Sequence, residues 1–267
     1  MRRHILAGAL GLGVVAALTG GGLWWTVYGR GAGPRVSVLE PHGEAEAVIM
    51  DFSRPFPLDP PPPGWDHREF LTRRPMTISF ATKEGVPALR LETNGTASRL
   101  FRHVKIDLQR YPVLDWRWYI EKPIDSPLDE RTRKGDDHPA RFFIAMRTRD
   151  GHDRAMEVIW GNKLKAGDYK YIGAFPHYVA DGGNENAGRW RNEEIDLRRI
   201  YETIWKDAKP AEVVEIAIFC DSDETGTSSV SYVADVRMKR ASEKSAGPAV
   251  RGSGSGSSGP AAPPPRR

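Results

Sequence analysis

Two short stretches contain the residue types that could carry chemistry. The first, G-D-D-H-P at 135–139, places two adjacent carboxylates and a histidine on a glycine and proline turn. The second, D-S-D-E-T-G at 221–226, places three acids directly after an apolar run. Such acids could bind a metal ion, work as an acid and base pair, or cap the backbone N–H groups of a turn.

The second stretch resembles the first half of a calcium loop, with oxygen ligands at positions 1, 3 and 5 and glycine at position 6. This pattern predicts Asp221, Asp223 and Thr225 as Ca²⁺ ligands, and Ca²⁺ is the one cofactor for which the sequence gives any signal. Position 12 would be Tyr232 rather than glutamate, so an EF-hand is rejected. The alternative is a polar hairpin whose aspartates bind backbone N–H groups.

The first stretch needs partners from elsewhere in the chain. Adjacent residues of an extended chain point apart, so Asp136 and Asp137 form a poor catalytic pair by themselves. One of them opposite an aspartate of the second stretch could act as a glycosidase pair, and Arg117 or Arg141 could neutralise the charge. His138 is expected to be incidental, and we assign no catalytic residue.

The elements around these stretches are mostly β. Short runs of strand composition occur at 47–52, 76–81, 88–93, 100–108, 113–121, 140–148, 155–160, 213–220 and 229–238. Only 195–207 has helical periodicity. Asp196 is expected to cap the N-terminus of this helix, and Pro210 prevents the helix from continuing. We therefore predict a mainly β, two-sheet antiparallel sandwich with one short helix. The expected type is a jelly roll like that of galactose-binding domains and carbohydrate-binding modules.

Alternation along the strands predicts which side chains face inward. In 113–121 the residues Leu114, Trp116, Trp118 and Ile120 form the core face, and in 229–238 the core face is Val230, Tyr232, Ala234, Val236 and Met238. The opposite face of 113–121 mixes aromatic and charged groups and is either a solvated surface or a glycan-binding one. The candidate ligand-binding residues are Asp115, Arg117, Tyr119, Asp136, Asp137, Arg141, Trp160, Asn162, Asp221 and Asp223.

The two ends of the chain differ from the middle. The chain has 267 residues and a net charge of +4, but its two ends carry all of the positive excess and residues 36–238 carry −5. A nucleic-acid partner is therefore not expected. Residues 5–28 form an apolar run of about 36 Å as a helix, which is long enough to span a bilayer.

We accordingly divide the chain into four parts: 1–28 as an uncleaved membrane anchor or signal, 29–36 as a stalk, 37–240 as the sandwich, and 241–267 as a disordered basic tail rich in Gly, Ser and Pro. Arg2 and Arg3 favour a cytoplasmic N-terminus. This predicts a bacterial inner-membrane protein anchored through 5–28, with its body in the periplasm. Secretion after cleavage of the signal is the alternative.

An ordered set of motifs resembles a bacterial family of exported proteins, domain of unknown function 3047. The motifs are W-R-W at 116–118, G-D-D-H-P-A-R at 135–141, W-G-N at 160–162 and D-S-D-E-T at 221–225. The resemblance covers nearly all of 46–238. It implies one β-sandwich domain and no assigned activity. His138 departs from the apolar or aromatic residue expected at its position.

Three functions remain open. The first is a sandwich that binds an envelope glycan without catalysis. The second is a structural partner of another envelope protein. The third is a carbohydrate-active hydrolase or lyase that uses Asp136 or Asp137 with Asp221 or Asp223. The discriminating question is whether 135–141 and 221–225 meet in one cleft together with Arg117 and Arg141.

Overall fold

A computed structural model describes residues 37–206 and 210–241. The strands are β1 (Glu46–Met50), β2 (Trp65–Glu69), β3 (Thr77–Lys83), β4 (Val86–Asn94), β5 (Ser98–Asp107), β6 (Val113–Lys122), β7 (Arg141–Thr148), β8 (Asp153–Gly161), β9 (Tyr169–Ile172), β10 (Phe175–Gly182), β11 (Trp190–Asp196), β12 (Pro210–Phe219) and β13 (Ser228–Lys239). One α-helix, α1 (Leu197–Ile204), follows β11.

The strands form two sheets. The six-stranded sheet has the order β11-β6-β13-β4-β3, with β1 paired to β13, and the seven-stranded sheet has the order β2-β5-β12-β7-β8-β10-β9. Every pairing is antiparallel except that of β8 with β10. The predicted two-sheet β-sandwich with one helix is confirmed. Among the described residues, no helix is long and apolar enough to cross a membrane, and the predicted span 5–28 lies outside them.

The core between the sheets follows the predicted alternation on β6, and the residues of β7 alternate in the same way. Trp116, Trp118 and Phe142 are buried, and their rings meet at centroid distances of 5.1–6.3 Å. Trp160 of β8 joins this group through Trp118, at 5.6 Å. The four rings therefore form the centre of the sandwich.

The predicted faces of β13 are correct only in its second half. Val233 lies opposite the core residue Trp118, whereas Tyr232 and Ala234 lie opposite the outward Tyr119 and Arg117. A bulge at Asp235, which has a φ of 54°, inserts one extra residue and exchanges the two faces. Beyond it the faces are as predicted, and Val236 and Met238 are in the core.

Four strands were absent from the sequence prediction: β2, β9, β10 and β11. Three of them, β2, β9 and β11, are edge strands, and the fourth, β10, lies next to an edge and pairs in parallel with β8. Helix α1 begins as predicted, since the Asp196 carboxylate accepts a hydrogen bond of 2.9 Å from the Arg199 N–H. It ends at Ile204, three residues earlier than expected.

Candidate functional site

The two acidic stretches meet where β7 begins and β12 ends. The His138 N–H donates to Asp221 Oδ1 at 3.1 Å, and the Asp221 N–H donates to the His138 carbonyl at 3.3 Å. The Thr225 N–H donates to Asp137 Oδ2 at 2.6 Å. The side chains of Asp137 and Asp221 therefore cap each other's turns as well as lying close together.

The side chain of Arg141 lies where the two acidic stretches meet. It is 3% exposed. Its Nε donates to Asp221 at 2.9 Å, its Nη1 to Glu157 of β8 at 2.8 Å, and its Nη2 to the carbonyl of Asp136. The Asp136 carboxylate lies 3.6 Å from Nη1. One guanidinium thus joins three buried or half-buried carboxylates, which is the compensation that burial of these charges requires.

The electrostatics keep two of these carboxylates ionised. Burial would raise the pKa of Asp136, but Arg141, His177 and Lys170 outweigh it, so the pKa lies well below its ordinary value. For Glu157, burial is outweighed by Arg141, His177 and Arg99, and its pKa is also lowered. Burial instead raises the pKa of Asp221, with the neighbouring acids adding to the effect and Arg141 opposing it.

His138 is not incidental, contrary to the sequence interpretation. The ring is fully buried, its Nδ1 lies 2.8 Å from the carbonyl of Trp160, and its Nε2 lies 2.6 Å from Lys170 Nζ. Because a carbonyl only accepts, Nδ1 carries the hydrogen and Nε2 accepts from the ammonium. Burial and the nearby Lys170 and Arg141 lower the pKa of His138, which agrees with a neutral ring.

Sequence reasoning missed several members of this network. Lys170 Nζ also contacts Asp136 at 2.5 Å and the carbonyl of Glu130 at 2.7 Å. His177 Nε2 lies 3.3 Å from Glu157. The Glu130 carboxylate accepts from the N–H groups of residues 162, 163 and 164. The only sequence signal for Glu157 and Lys170 is a charged residue within a run of apolar or aromatic ones.

Four carboxylates form a tighter group beside Arg141. One oxygen each from Asp137, Asp221, Asp223 and Glu224 lies within 4.8 Å of the others. Burial and hydrogen bonds to Asp137 and Asp223 raise the pKa of Glu224 to about 9. Oxygens are the ligands that Ca²⁺ prefers, but Asp221 is held by Arg141, and Asp223 is paired with Arg73.

The predicted Ca²⁺ ligand Thr225 contributes differently, since its hydroxyl pairs with that of Thr227 at 2.7 Å. Calcium binding at Asp221 and Asp223 stays a prediction. The alternative of Asp136 or Asp137 acting with Asp221 or Asp223 as a glycosidase pair also stays a prediction.

The remaining predicted residues fall in two places. Asn162 lies beside the network, with its side-chain N–H donating to the Asp137 carbonyl at 2.7 Å. Trp160 has no exposed surface and belongs to the core, so it cannot touch a ligand at the surface. Asp115, Arg117 and Tyr119 lie on the outer face of the other sheet.

On that face the charges are paired and the aromatic rings are covered. Arg117 pairs with Asp235, and Asp115 pairs with Lys239 at 2.7 Å. Tyr119 is 7% exposed, beneath Lys83 at the tip of the β3–β4 hairpin, whose Nζ lies 4.5 Å from the ring centroid. Arg117 and Arg141 therefore do not share a site, because the two sheets separate them.

The buried network is continuous with a row of side chains on the outer face of the seven-stranded sheet. The strand registers align one row of side chains across all seven strands: Asp66, Phe101, Ala217, Phe143, Glu157, His177 and Lys170. At about 4.8 Å between strands, the row is about 29 Å long. We call this row with its flanking Arg68, Arg99 and Phe175 the aromatic row.

Rings and guanidinium groups alternate along the aromatic row. Phe143 lies 6.1 Å from Phe101 and 6.1 Å from Phe175, and its ring is within 17° of parallel to that of Phe175. Arg68 lies 3.9 Å over Phe101, and Arg99 lies 4.8 Å over Phe143. Carboxylates fix both arginines, with Arg68 bound to Glu215 at 2.8 Å and Arg99 bound to Glu157 at 3.1 Å.

The fold and the site define a β-sandwich with an ordered polar and aromatic outer face. The chain belongs to the family described as protein of unknown function DUF3047, which matches residues 63–237. The resemblance predicted from the sequence motifs is thereby confirmed. Among curated proteins, no match was found.

Several solved structures have a similar arrangement at low identity. The enzymatically active domain of tailspike protein 4 of bacteriophage CBA120 is 11% identical, with a TM-score of 0.36 over 67% of this chain and 19% of its own length. A family 30 carbohydrate-binding module is 9% identical, with a TM-score of 0.39 over 73% of this chain and 99% of its own. The family 30 module of a cellulosomal cellulase of Clostridium thermocellum is 10% identical, with a TM-score of 0.38 over 73% of this chain and 97% of its own.

Proposed function

We propose that this protein is a non-catalytic binding module whose ligand, an oligosaccharide of the cell envelope, lies over the accessible part of the aromatic row around Phe143 and Phe175. The observation that carries the proposal is the combination of half-buried parallel rings at Phe143 and Phe175 with fixed guanidinium and carboxylate groups beside them. Aromatic faces suit the C–H face of a sugar, and paired charged groups suit its hydroxyls.

The burial pattern along the row supports this proposal over an ordinary solvated face. The outer face of an antiparallel sheet usually carries mobile polar side chains. Here Ala145 and Ala217 have no exposed surface, and four larger side chains of the row are also buried: Phe101, Glu157, His177 and Lys170. The accessible part of the row is therefore centred on Phe143 and Phe175. Arg68 and Arg99 are held by carboxylates before any ligand arrives, and such preorganisation lowers the entropic cost of binding.

The test is a glycan-array screen followed by titration calorimetry on the best ligand. Phe143→Ala should weaken binding about tenfold or more, since loss of a stacked ring costs about 1.5 kcal/mol. Tyr171→Ala is the matched control, because Tyr171 is exposed and lies on β9 outside the aromatic row. Unfolding midpoints of both variants check that the fold is retained.

Equal affinities for the two variants would contradict the proposed location. A different result would be that no glycan binds the folded protein and that an envelope protein binds through the aromatic row. This result would support the alternative that the protein is a structural partner of another envelope protein. We also propose that the module is tethered to the inner membrane through residues 5–28 with its body in the periplasm, where envelope glycans are accessible.

A further inference from the structure

The hairpin formed by β3 and β4 separates from the six-stranded sheet before it turns. In the described part of the chain, β4 pairs with β13 up to Leu89, and β1 takes the place beside β13 at 236–239. Glu84 and Gly85 close the hairpin with φ values of 50° and 80°, since a tight two-residue hairpin loop needs positive φ at both positions. The end of the hairpin beyond Leu89 therefore lacks a neighbouring strand on the β13 side.

This end of the hairpin covers a small apolar cluster on the outer face of the sheet. Ala88 of β4 packs there with Tyr119 of β6 and Tyr232 of β13, apart from the core between the two sheets. The indole N–H of Trp190 on β11 donates to the carbonyl of Lys83 at 3.2 Å. Because β13 and β6 lie between β4 and β11, the tip of the hairpin crosses over two strands.

The ammonium group of Lys83 lies between two tyrosine rings and a carboxylate. Its Nζ is 4.5 Å from the ring centroid of Tyr119 and 5.3 Å from that of Tyr232, and the two rings are at 88° to each other. Glu121 accepts from Nζ at 2.6 Å and from the Tyr232 hydroxyl at 3.0 Å. The hydrogen bond from Lys83 lowers the pKa of Glu121, so this carboxylate is ionised at neutral pH. We call Tyr119, Tyr232 and Glu121 the ammonium cage.

The ammonium cage is open to solvent at its charged end. The side chains of Lys83 and Glu121 are 23% and 40% exposed, although both tyrosines are buried. Rotation of the flexible lysine stem would therefore uncover the rings to a solute cation without any change in the sheet. A lysine ammonium is strongly hydrated, whereas a methylated ammonium is the cation that aromatic cages typically recognise.

We propose that the ammonium cage is a binding site for a trimethylammonium group, and that Lys83 acts as an internal competitor for it. The ring faces of Tyr119 and Tyr232 suit the methyl groups, and Glu121 neutralises the charge. Free choline and the choline headgroup of a lipid both carry this group. The inference is independent of the glycan-binding proposal, because the aromatic row lies on the other sheet.

The test is a titration of choline into the full chain, compared with its uncharged isostere 3,3-dimethylbutanol. Lys83→Ala removes the competitor and should bind choline about tenfold or more tightly than the wild type, and the isostere should bind this variant about tenfold or more weakly than choline does. Glu121→Gln should bind choline more weakly than the wild type. In the wild type, choline should shift the nuclear magnetic resonance signal of the Trp190 indole N–H, because its acceptor is the displaced residue.

The matched control is Lys122→Ala, since Lys122 follows Glu121 on β6 and its ammonium binds the hydroxyl of Ser228 at 2.5 Å. This variant loses the same charge and should bind choline like the wild type. Unfolding midpoints check that each variant is folded, and the Trp190 signal tests the wild type without any substitution. Equal choline affinities of Lys83→Ala and Lys122→Ala, equal affinities for choline and its isostere, or an unmoved Trp190 signal would overturn the inference.

A second titration distinguishes the two sources of the trimethylammonium group. Dihexanoylphosphatidylcholine, used below its micelle concentration, carries the same group on a lipid headgroup. Tighter binding of this lipid than of choline to Lys83→Ala would assign the ammonium cage to lipid headgroups. Equal or weaker binding would assign it to free solutes.

Discussion

At the scale of single residues, Arg141 determines the character of the buried polar network. Its guanidinium bonds to Asp221 and Glu157 and to the backbone of the 135–139 turn. The planar fork reaches several carboxylates at once, which a lysine ammonium on a flexible stem would not reproduce. The residue therefore holds two turns and two strands in one arrangement.

Replacing Arg141 should be far more costly than replacing a surface arginine. Arg141→Ala leaves buried carboxylates without a cation, and we expect the free energy of unfolding to fall by about 3–5 kcal/mol in urea denaturation. Arg147→Ala on the same strand removes an exposed pair with Asp153 and should cost about 1 kcal/mol or less. Similar losses in the two variants would show that the network does not stabilise the fold.

At the scale of elements, the two sheets approach each other at the edge formed by β10 and β11. Glu193 of β11 accepts a hydrogen bond of 3.2 Å from the indole of the core residue Trp118. Asp181 of β10 pairs with Arg191 of β11 at 2.6 Å and accepts from Asn186. Burial and the charge of Asp181 raise the pKa of Glu193 to about 8.

This edge makes stability depend on pH. Because the folded-state pKa of Glu193 lies above its ordinary value near 4.5, the folded protein holds the proton more tightly than the unfolded chain. The contribution of Glu193 to the free energy of unfolding is complete below pH 4.5 and is lost as the pH rises to about 8. We expect the free energy of unfolding to fall by about 2 kcal/mol over this range, a value already reduced for the partial exposure of Glu193.

The measurement is the unfolding free energy at several pH values for the wild type and two variants. Glu193→Gln should remove the decline between pH 4.5 and 8. Glu194→Gln, which changes the exposed neighbour on the opposite face of β11, should retain it. A decline of the same size in all three proteins would assign the pH dependence to other groups.

At the scale of the whole molecule, the distribution of charge and apolar sequence separates the ends from the sandwich. The predicted anchor 5–28 and the basic tail 241–267 lie outside the described residues, apart from residue 241. Their proposed roles rest on hydropathy and composition. The proposed attachment to the membrane is independent of the glycan-binding proposal.

Cell fractionation tests this attachment. The full chain should sediment with the inner membrane and resist extraction by high salt and alkaline carbonate, because an apolar helix is held by the bilayer core. A chain without residues 1–28 should remain in the soluble fraction. Recovery of a mature protein whose N-terminus lies beyond residue 28 would instead establish cleavage and the secreted alternative.

Much of the fold could be predicted because alternation is a local property of the chain. Trp116, Trp118, Phe142 and Ile144 are buried as their period of two indicates. The same rule failed on the first half of β13, since nothing in the sequence marks Asp235 as the residue that takes a positive φ. One inserted residue at a bulge reverses every face on one side of it.

The candidate site could be predicted only in part, because it depends on which strands pair with each other, and local sequence does not specify this. The acids of 135–139 and 221–226 were recognised as candidates, and Arg141 was recognised as their partner, from composition alone. Glu157, Lys170 and His177 were missed, because they come from strands whose neighbours in the sheet are set by register. Arg117 was the alternative partner for these acids, but it lies on the other sheet.

The sequence by itself determined the class of fold, the family, the core aromatic residues and the two acidic turns, because each follows from residue types at short spacing. Only the tertiary structure decided that the two turns cap each other around Arg141, and that seven strands align the aromatic row. The first feature arises from contacts between residues 80 or more positions apart, such as Arg141 with Asp221, and the second arises from the order and register of seven strands. Such contacts are selected by burial and register across the whole sandwich.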